Sequence, residues 1–288
     1  MEERQNFNLA EKKKIVWIRL DPANGAGDCR EDVWDTLVTE YPFTIFFNET
    51  ELATLLCSPD ELEALAYGFL FGEGLIDEPG DLDRLEIDPE KGEARALTER
   101  TNLAAKVVGR RFIPSGCGSG SVFYRLQDVL SHRKVGKSLK VEAVTLLQGM
   151  RGLQKRAPVF RETGGTHAAA LFMPGSGLLY SFEDIGRHNA VDKIVGRCLL
   201  DGVDPADKVL LTTGRLSSEM VLKTARIGIP VLVSRSAPTV LAARTAEELG
   251  VTLVGFCRGR RLSLYSHPER ILGGGLEPGK EDDGGGKK

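Results

Sequence analysis

The chain has 288 residues, 41% of them hydrophobic and 27% charged, with a formal net charge of -3 at pH 7. That is enough chain for one large domain or two modest ones around a packed core, and the balanced charge argues against general affinity for nucleic acid or an anionic membrane surface. No apolar run is long enough to span a bilayer, and the start, "MEERQNFNLAEKKKIVWIRL", has acidic residues and no leader-like apolar segment, so the sequence predicts a cytoplasmic protein.

In chain order, residues 1–30 are polar around "DPANGAGD" and are expected to be frayed. "TLVTEYPFTIFFNET" is rich in β-branched and aromatic residues and reads as strand, with "LATLLC" as its continuation or partner across the polar turn at Asn48 and Glu49. "SPDELEALAYGFLFGEGLI" reads as a helix. Ser58 and Glu61 suggest a capping box, Pro59 suits the first helical position, and Gly72 and Gly74 end the pattern. Leu62, Leu65, Ala66, Phe69 and Leu70 share one face of that helix. "RLEIDPEKGEARAL" reads as a hairpin. After "LSHRKVGKS", a helix "VEAVTLLQGMRGLQ" leads to strands "HAAALFM" and "LLYSFED" joined by a Pro-Gly-Ser-Gly turn. Helices "NAVDKIVGRCLL", "SSEMVLKTARIG" and "PTVLAARTAEELG" then alternate with strands "KVLLTT", "PVLVSR" and "VTLVGFC". Short strands separated by helices of ten to fifteen residues predict crossover units and a mostly parallel, covered sheet. The expected class is α/β: a smaller α+β domain over 31–135, a larger three-layer α/β domain over 136–272, and a disordered tail over 273–288 that lacks the apolar content for a core.

In such a sheet, ligands bind beyond the strand ends, where loops meet helix N-termini. Five polar stretches fall there. "RETGGTH" holds Gly164, Gly165 and His167; "EDIGRHNAVDK" holds Asp184, Arg187 and His188; "TTGRLSSE" holds Thr213, Gly214 and Arg215; "SRSAPT" is the fourth. The fifth, "FCRGRR", is Phe256, Cys257, Arg258, Gly259, Arg260 and Arg261. Each has a plainer reading. Clustered arginines are usually a solvated turn. Ser217 or Ser218 serves as well for a helix cap as for a phosphate. His188 beside Asp184 is either a base with its orienting carboxylate or a structural histidine.

Five cysteines, Cys29, Cys57, Cys117, Cys198 and Cys257, are odd in number and scattered, with no Cys-x-x-Cys pair, so they suggest reduced thiols rather than a disulfide framework or metal site. Cys57, Cys198 and Cys257 lie in apolar periodic segments and read as core, while Cys29 reads as a loop residue. Cys117 differs: it sits in "SGCGSGS", among Gly and Ser alone, as either an inert surface thiol or a reactive one on a mobile tether. A zinc deaminase needs His-x-Glu and Pro-Cys-x-x-Cys. Here His167 is followed by Ala168 and Ala169, and no Pro-Cys-x-x-Cys occurs, so zinc-dependent deamination is excluded and no metal ligand is assigned.

The stretches "EYPFTIFFN", "FLFGEGLI", "SGCG", "TGGTHAAAL", "EDIGRHNAVDKIVG", "TTGRLSSEMVLKTARIGIPVLVSRSAPT" and "LGVTLVGFCRGRRLSLYSHPERI" together resemble the formate dehydrogenase accessory sulfurtransferase family, over about Glu40 to Ile271. The resemblance implies a larger domain like the cytidine deaminase fold without its zinc. It implies a sulfurtransferase that accepts sulfur from a cysteine desulfurase as a persulfide on Cys117 and transfers it to the molybdenum (or tungsten) bis-guanine-dinucleotide cofactor destined for apo formate dehydrogenase. The cofactor is cargo, with its guanine nucleotide moieties held at the polar loops and "FCRGRR" matching the family's cofactor-binding segment. Many members carry Cys-Gly-x-Cys, where this chain has Gly120 at the last position, which leaves Cys117 to act alone. The alternative is a chaperone that binds and delivers the cofactor without sulfur chemistry. A homodimer suits a cargo with two guanine halves.

Overall fold

The computed structural model describes residues 8–19, 29–101, 135–136 and 138–273. Part of the start expected to be frayed is a strand. β1 (Ala10–Arg19) pairs antiparallel with β2 (Cys29–Val38) from Ala10 opposite Val38 to Arg19 opposite Cys29, so Cys29 opens a strand rather than sitting in a loop. The sequence signal was weak because the ribbon has no dry face. Val16, Trp17, Ile18 and Trp34 are all more than half exposed, and polar and apolar residues do not alternate.

A four-stranded sheet follows, built from β3 (Tyr41–Phe47), β4 (Thr50–Cys57), β5 (Arg84–Asp88) and β6 (Glu93–Leu97) in the order β4-β3-β6-β5. The β3–β4 and β5–β6 hairpins form as the sequence predicts, and Asn48 takes the left-handed turn position at φ 50, which asparagine tolerates. Phe43, Ile45 and Phe47 alternate inward and are buried. They belong to the same core as α1 (Leu62–Gly72), whose predicted apolar face is also buried. The expected capping box is absent. The helix starts at Leu62, with Glu61 as a left-handed N-cap making no side-chain bond. Ser58 is engaged elsewhere: its backbone N–H donates to Asp184 Oδ2 at 3.0 Å, and its hydroxyl accepts from the Ile185 N–H at 3.3 Å.

The remainder builds the larger sheet and its cover. After a two-residue strand β7 (Val141–Glu142), helices α2 (Ala143–Lys155) and α3 (Pro158–Thr163) lead into β8 (His167–Met173) and β9 (Gly177–Asp184). Then come α4 (Arg187–Leu200), β10 (Val209–Thr212), α5 (Ser218–Ile227), β11 (Val231–Ser234), α6 (Val240–Leu249), β12 (Thr252–Arg258) and β13 (Arg261–Ser266). A last short strand, β14 (Ile271–Leu272), pairs with β7. The six-stranded order is β13-β12-β11-β10-β8-β9. Only β10–β11 and β11–β12 are parallel, so the expectation of a mostly parallel sheet is corrected. Two hairpins, β8–β9 and β12–β13, flank a parallel centre, and "RLSLYS", unassigned from sequence, is the strand that closes the second.

Alternation along the central strands sends Ala168, Ala170, Val209, Leu211, Val231 and Val233 to one face, against Leu146, Met150 and Leu153 of α2. Ala169, Leu171, Leu210 and Leu232 face the other way, into the core that holds α4, α5 and α6. Covering both faces is why these strands read as continuous apolar runs. That second core also contains Phe43, Ile45, Leu65 and Phe69, so one buried cluster runs from the small sheet to the large one. Where α1 meets α4, a Cβ on Gly68 would lie 1.9 Å from the Asp192 carbonyl oxygen, and one on Gly196 1.8 Å from the Ala64 carbonyl oxygen.

Candidate functional site

The C-terminal ends of β10, β11 and β12 lie at one edge of the large sheet because those strands are parallel. β8 runs against β10 and β9 against β8, so the start of β8 at His167 and the end of β9 at Asp184 meet the same edge, opposite each other in register. A cleft of about 600 Å³ opens there. Its large-sheet side is Gly165, His167, Gly186, Arg187, His188 and Asn189; its other side comes from the small sheet and the ribbon, with Val38, Glu40, Thr54, Leu55 and Leu56.

The first turn of α4 is held in place from behind. Asp184, fully buried, accepts from the Gly186 N–H at 2.8 Å, from Asn189 Nδ2 at 2.9 Å and from the Ser58 N–H at 3.0 Å, and pairs with Lys193 Nζ at 2.8 Å. Lys193 also reaches Asp60 at 2.5 Å. Burial works against its ammonium, but Asp184 and Asp60 outweigh that and hold its pKa above the ordinary value. Asn189 donates a further bond to the Leu56 carbonyl at 2.8 Å, tying α4 to β4. Of the two readings of His188, the pairing with Asp184 as its orienting carboxylate therefore does not form.

His188 turns to α5 instead, with Nε2 3.0 Å from Ser217 Oγ and 3.4 Å from Glu219 Oε2. Burial, then the positive charges of Lys223 and Arg187, push its pKa down to about 3. The ring is neutral, too weak a base to take a proton at neutral pH, and suited to hydrogen bonding. His167 is lowered as well, by burial and then by Arg187 and Arg215. Arg187 is itself lowered by burial and by Arg215. Its Nε is buried and has no hydrogen-bond partner among the described residues. Gly214 lets this arginine pack close, since a Cβ there would fall 2.7 Å from Arg187 Cβ. Two guanidinium groups near enough to disfavour each other, one with an unspent donor, and a helix N-terminus make a site that favours an anion.

The other predicted residues have different places. Thr213 extends the β8–β10 ladder: its N–H donates to the Ala168 carbonyl at 2.9 Å and its hydroxyl accepts from the Ala168 N–H at 3.0 Å. Gly164 ends α3 at φ 67. Phe256, Cys257, Arg258, Gly259, Arg260 and Arg261 form the β12–β13 hairpin and do not line the cleft. Cys257 is fully buried, its thiol pushed up to about 11, and Arg258, Gly259, Arg260 and Arg261 are exposed. Arg258 stacks over the Phe256 ring at 5.7 Å. Burial holds the Cys57 and Cys198 thiols up at about 12, so both are core cysteines, as the sequence suggests. Cys117 lies outside the described residues. Among the described residues no cluster of His, Cys, Asp or Glu could hold a metal ion, and no helix is long and apolar enough to cross a membrane. Sequence reasoning missed the wall supplied by Val38, Glu40 and Thr54 to Leu56, because nothing local to those residues marks a site.

Residues 38–272 match the sequence model of the FdhD/NarQ family. The chain belongs to that family. It is 43% identical over 244 residues to the sulfur carrier protein FdhD of Listeria innocua, covering 84% of this chain and 93% of that one. It is 42% identical over 240 residues to the protein of the same name from Bacillus subtilis, covering 83% and 91%. Among solved structures it is similar to a putative formate dehydrogenase accessory protein from Desulfotalea psychrophila, with a TM-score of 0.74 and 29% identity, over 92% of this chain and 100% of that one. That protein therefore shares the mixed α/β architecture described above.

Proposed function

We propose that this chain is a sulfurtransferase in formate dehydrogenase maturation, with Cys117 as the carrier and the cleft at the first turn of α4 as the place where a guanine nucleotide end of the molybdenum or tungsten cofactor is held. The names of its relatives, sulfur carrier proteins, support the sulfur-transfer role. The observation that supports the binding half is the cleft itself, lined by Arg187 with its unpartnered buried Nε and by the first turn of α4, with Arg215 near enough to lower the Arg187 pKa. In the transfer half, the Cys117 thiolate attacks the outer sulfur of the desulfurase persulfide, and the desulfurase cysteine leaves as thiolate. The Sγ–S bond of the persulfide then breaks, Cys117 leaving as thiolate and the terminal sulfur passing to the reduced metal centre of the cargo, which supplies the two electrons that make it a sulfide ligand. Gly120 in place of a second loop cysteine means that one thiol receives and delivers.

Intact-mass measurement after incubation with a cysteine desulfurase and cysteine tests the carrier. The expected outcome is a gain of one sulfur that Cys117→Ala abolishes, with the buried Cys57, Cys198 and Cys257 contributing none. Absence of any adduct on a protein that still binds guanine nucleotides would favour a delivery chaperone instead.

A further inference from the structure

The cleft is lined by one acidic residue, and it belongs to the β2–β3 link rather than to the cationic first turn of α4. Glu40, in the two-residue link between β2 and β3, lines the cleft along with Val38 and Leu56. It is exposed, and among the described residues no hydrogen bond or ion pair reaches its carboxylate. A carboxylate placed in an otherwise anion-seeking cleft works against phosphate, so its chemistry has to serve another part of the ligand. An ionised carboxylate only accepts hydrogen bonds. Of the nucleobases, guanine alone presents two adjacent donors, N1–H and the N2 amine, which two carboxylate oxygens accept side by side. The pairing edge of adenine offers one donor beside an acceptor, and that of uracil one donor between two acceptors. Leu56, 54% exposed on β4, and Val38 offer the apolar contact that a base plane needs beside that polar edge.

We infer that Glu40 selects guanine in this cleft, by accepting from N1–H and N2–H of the base while Arg187 and the first turn of α4 take the phosphates. The inference rests on the nucleotide reading of the cleft and adds its specificity-determining residue. Truncated ligands test it on the full-length protein, by calorimetric titration with guanosine diphosphate and xanthosine diphosphate. Xanthine keeps N1–H but replaces the amine with a carbonyl, which a carboxylate repels and an amide N–H welcomes. The parent should bind guanosine diphosphate at least ten-fold more tightly than xanthosine diphosphate, and Glu40→Gln should reverse the order, losing about ten-fold or more for guanine and gaining for xanthine. A ratio of two ligands measured on one preparation does not depend on how much of the variant is folded. If Glu40→Gln keeps the parent's ratio, Glu40 does not read the base and the inference falls while the nucleotide site stands. If the parent binds neither ligand at millimolar concentration, the nucleotide reading of the cleft falls and takes this one with it.

Discussion

His188 is 5% exposed, and its ring is held neutral with a pKa near 3 rather than the ordinary 6.5, chiefly by burial and then by Lys223 and Arg187. The unfolded chain binds this proton below about pH 6.5, whereas the folded chain refuses it until about pH 3. The stability that depends on His188 is therefore complete above pH 6.5 and is lost as the pH falls from there, at up to about 1.4 kcal/mol per pH unit. Between pH 7 and pH 5 this one residue should remove about 2 kcal/mol, and His188→Gln should flatten that part of the profile. Denaturant unfolding of both proteins at the two pH values measures it; equal slopes would mean that Glu219 neutralises the effect by holding the proton in the folded state. None of this was legible in "EDIGRHNAVDK". A histidine two residues into a helix, four from an aspartate, reads equally as a base with its orienter or as structure, and only the packing of α5 reveals Ser217 as its partner. The cysteines were more legible, because burial follows apolar periodicity: Cys57, Cys198 and Cys257 sit in the core where their neighbours placed them. Cys257 shows the limit of a resemblance carried over a whole stretch, since the same residue cannot present a buried thiol to a ligand.

Among the helices and strands, sequence reasoning did well where a local rule had no competitor and badly where a distant residue claimed the same atoms. The β5–β6 hairpin follows from "DPEKG" flanked by alternating residues, and α5 and α6 carry their caps at Ser217 and Thr239 as the sequence pattern allows. The α1 cap failed because Ser58 is drawn into the network of Asp184 and Lys193, and those bonds are 126 or more positions apart in the chain. The crossing of α1 and α4 was equally invisible. In helices, glycine usually signals weakness, and replacing it with alanine adds about 1 kcal/mol of propensity. At Gly196 a Cβ would sit 1.8 Å from the Ala64 carbonyl oxygen and 2.8 Å from the Gly68 nitrogen, both backbone atoms that no rotamer change can move aside. The overlap should dominate, so Gly196→Ala is expected to lower stability by roughly 2–3 kcal/mol despite its better propensity. A thermal or denaturant melt decides it. An unchanged or raised midpoint would mean that the two helices slide apart at no cost, and the close crossing would not be what joins the small sheet to the large one.

Across the whole molecule, the small sheet does more than cap the large one: together with Val38 and Glu40 it supplies one side of the cleft. That side could not be anticipated from a rule that places ligands at the strand ends of one sheet, although the rule did single out Gly165, His167, Arg187 and His188, which line the cleft. The same rule also selected "FCRGRR", which lies on the same edge but at the other end of the strand order. From β12 to β9 is four strand spacings, roughly 19 Å, too far for one phosphate to touch both groups. The arginines of the β12–β13 turn are exposed, and the carbonyl of Gly259 in that turn is occupied by Arg151 at 3.0 Å. Arg187 is half-buried, with an idle Nε and a second guanidinium beside it. A contact from a desolvated, preorganised arginine is worth more than one from a solvated turn, about 1.5–3 kcal/mol against less than one. For guanosine diphosphate, which has one base and one pyrophosphate to place, Arg187→Ala should therefore weaken binding by about ten-fold or more, while Arg258→Ala and Arg260→Ala should change it less than two-fold. Loading of sulfur onto Cys117 by the desulfurase should be untouched in all three, because that step needs no nucleotide. Titration and intact-mass measurement on the same preparations give both readouts. Were the hairpin variants to lose the nucleotide and Arg187→Ala to keep it, the anion site would belong to the β12–β13 turn, and the first turn of α4 would be a scaffold only.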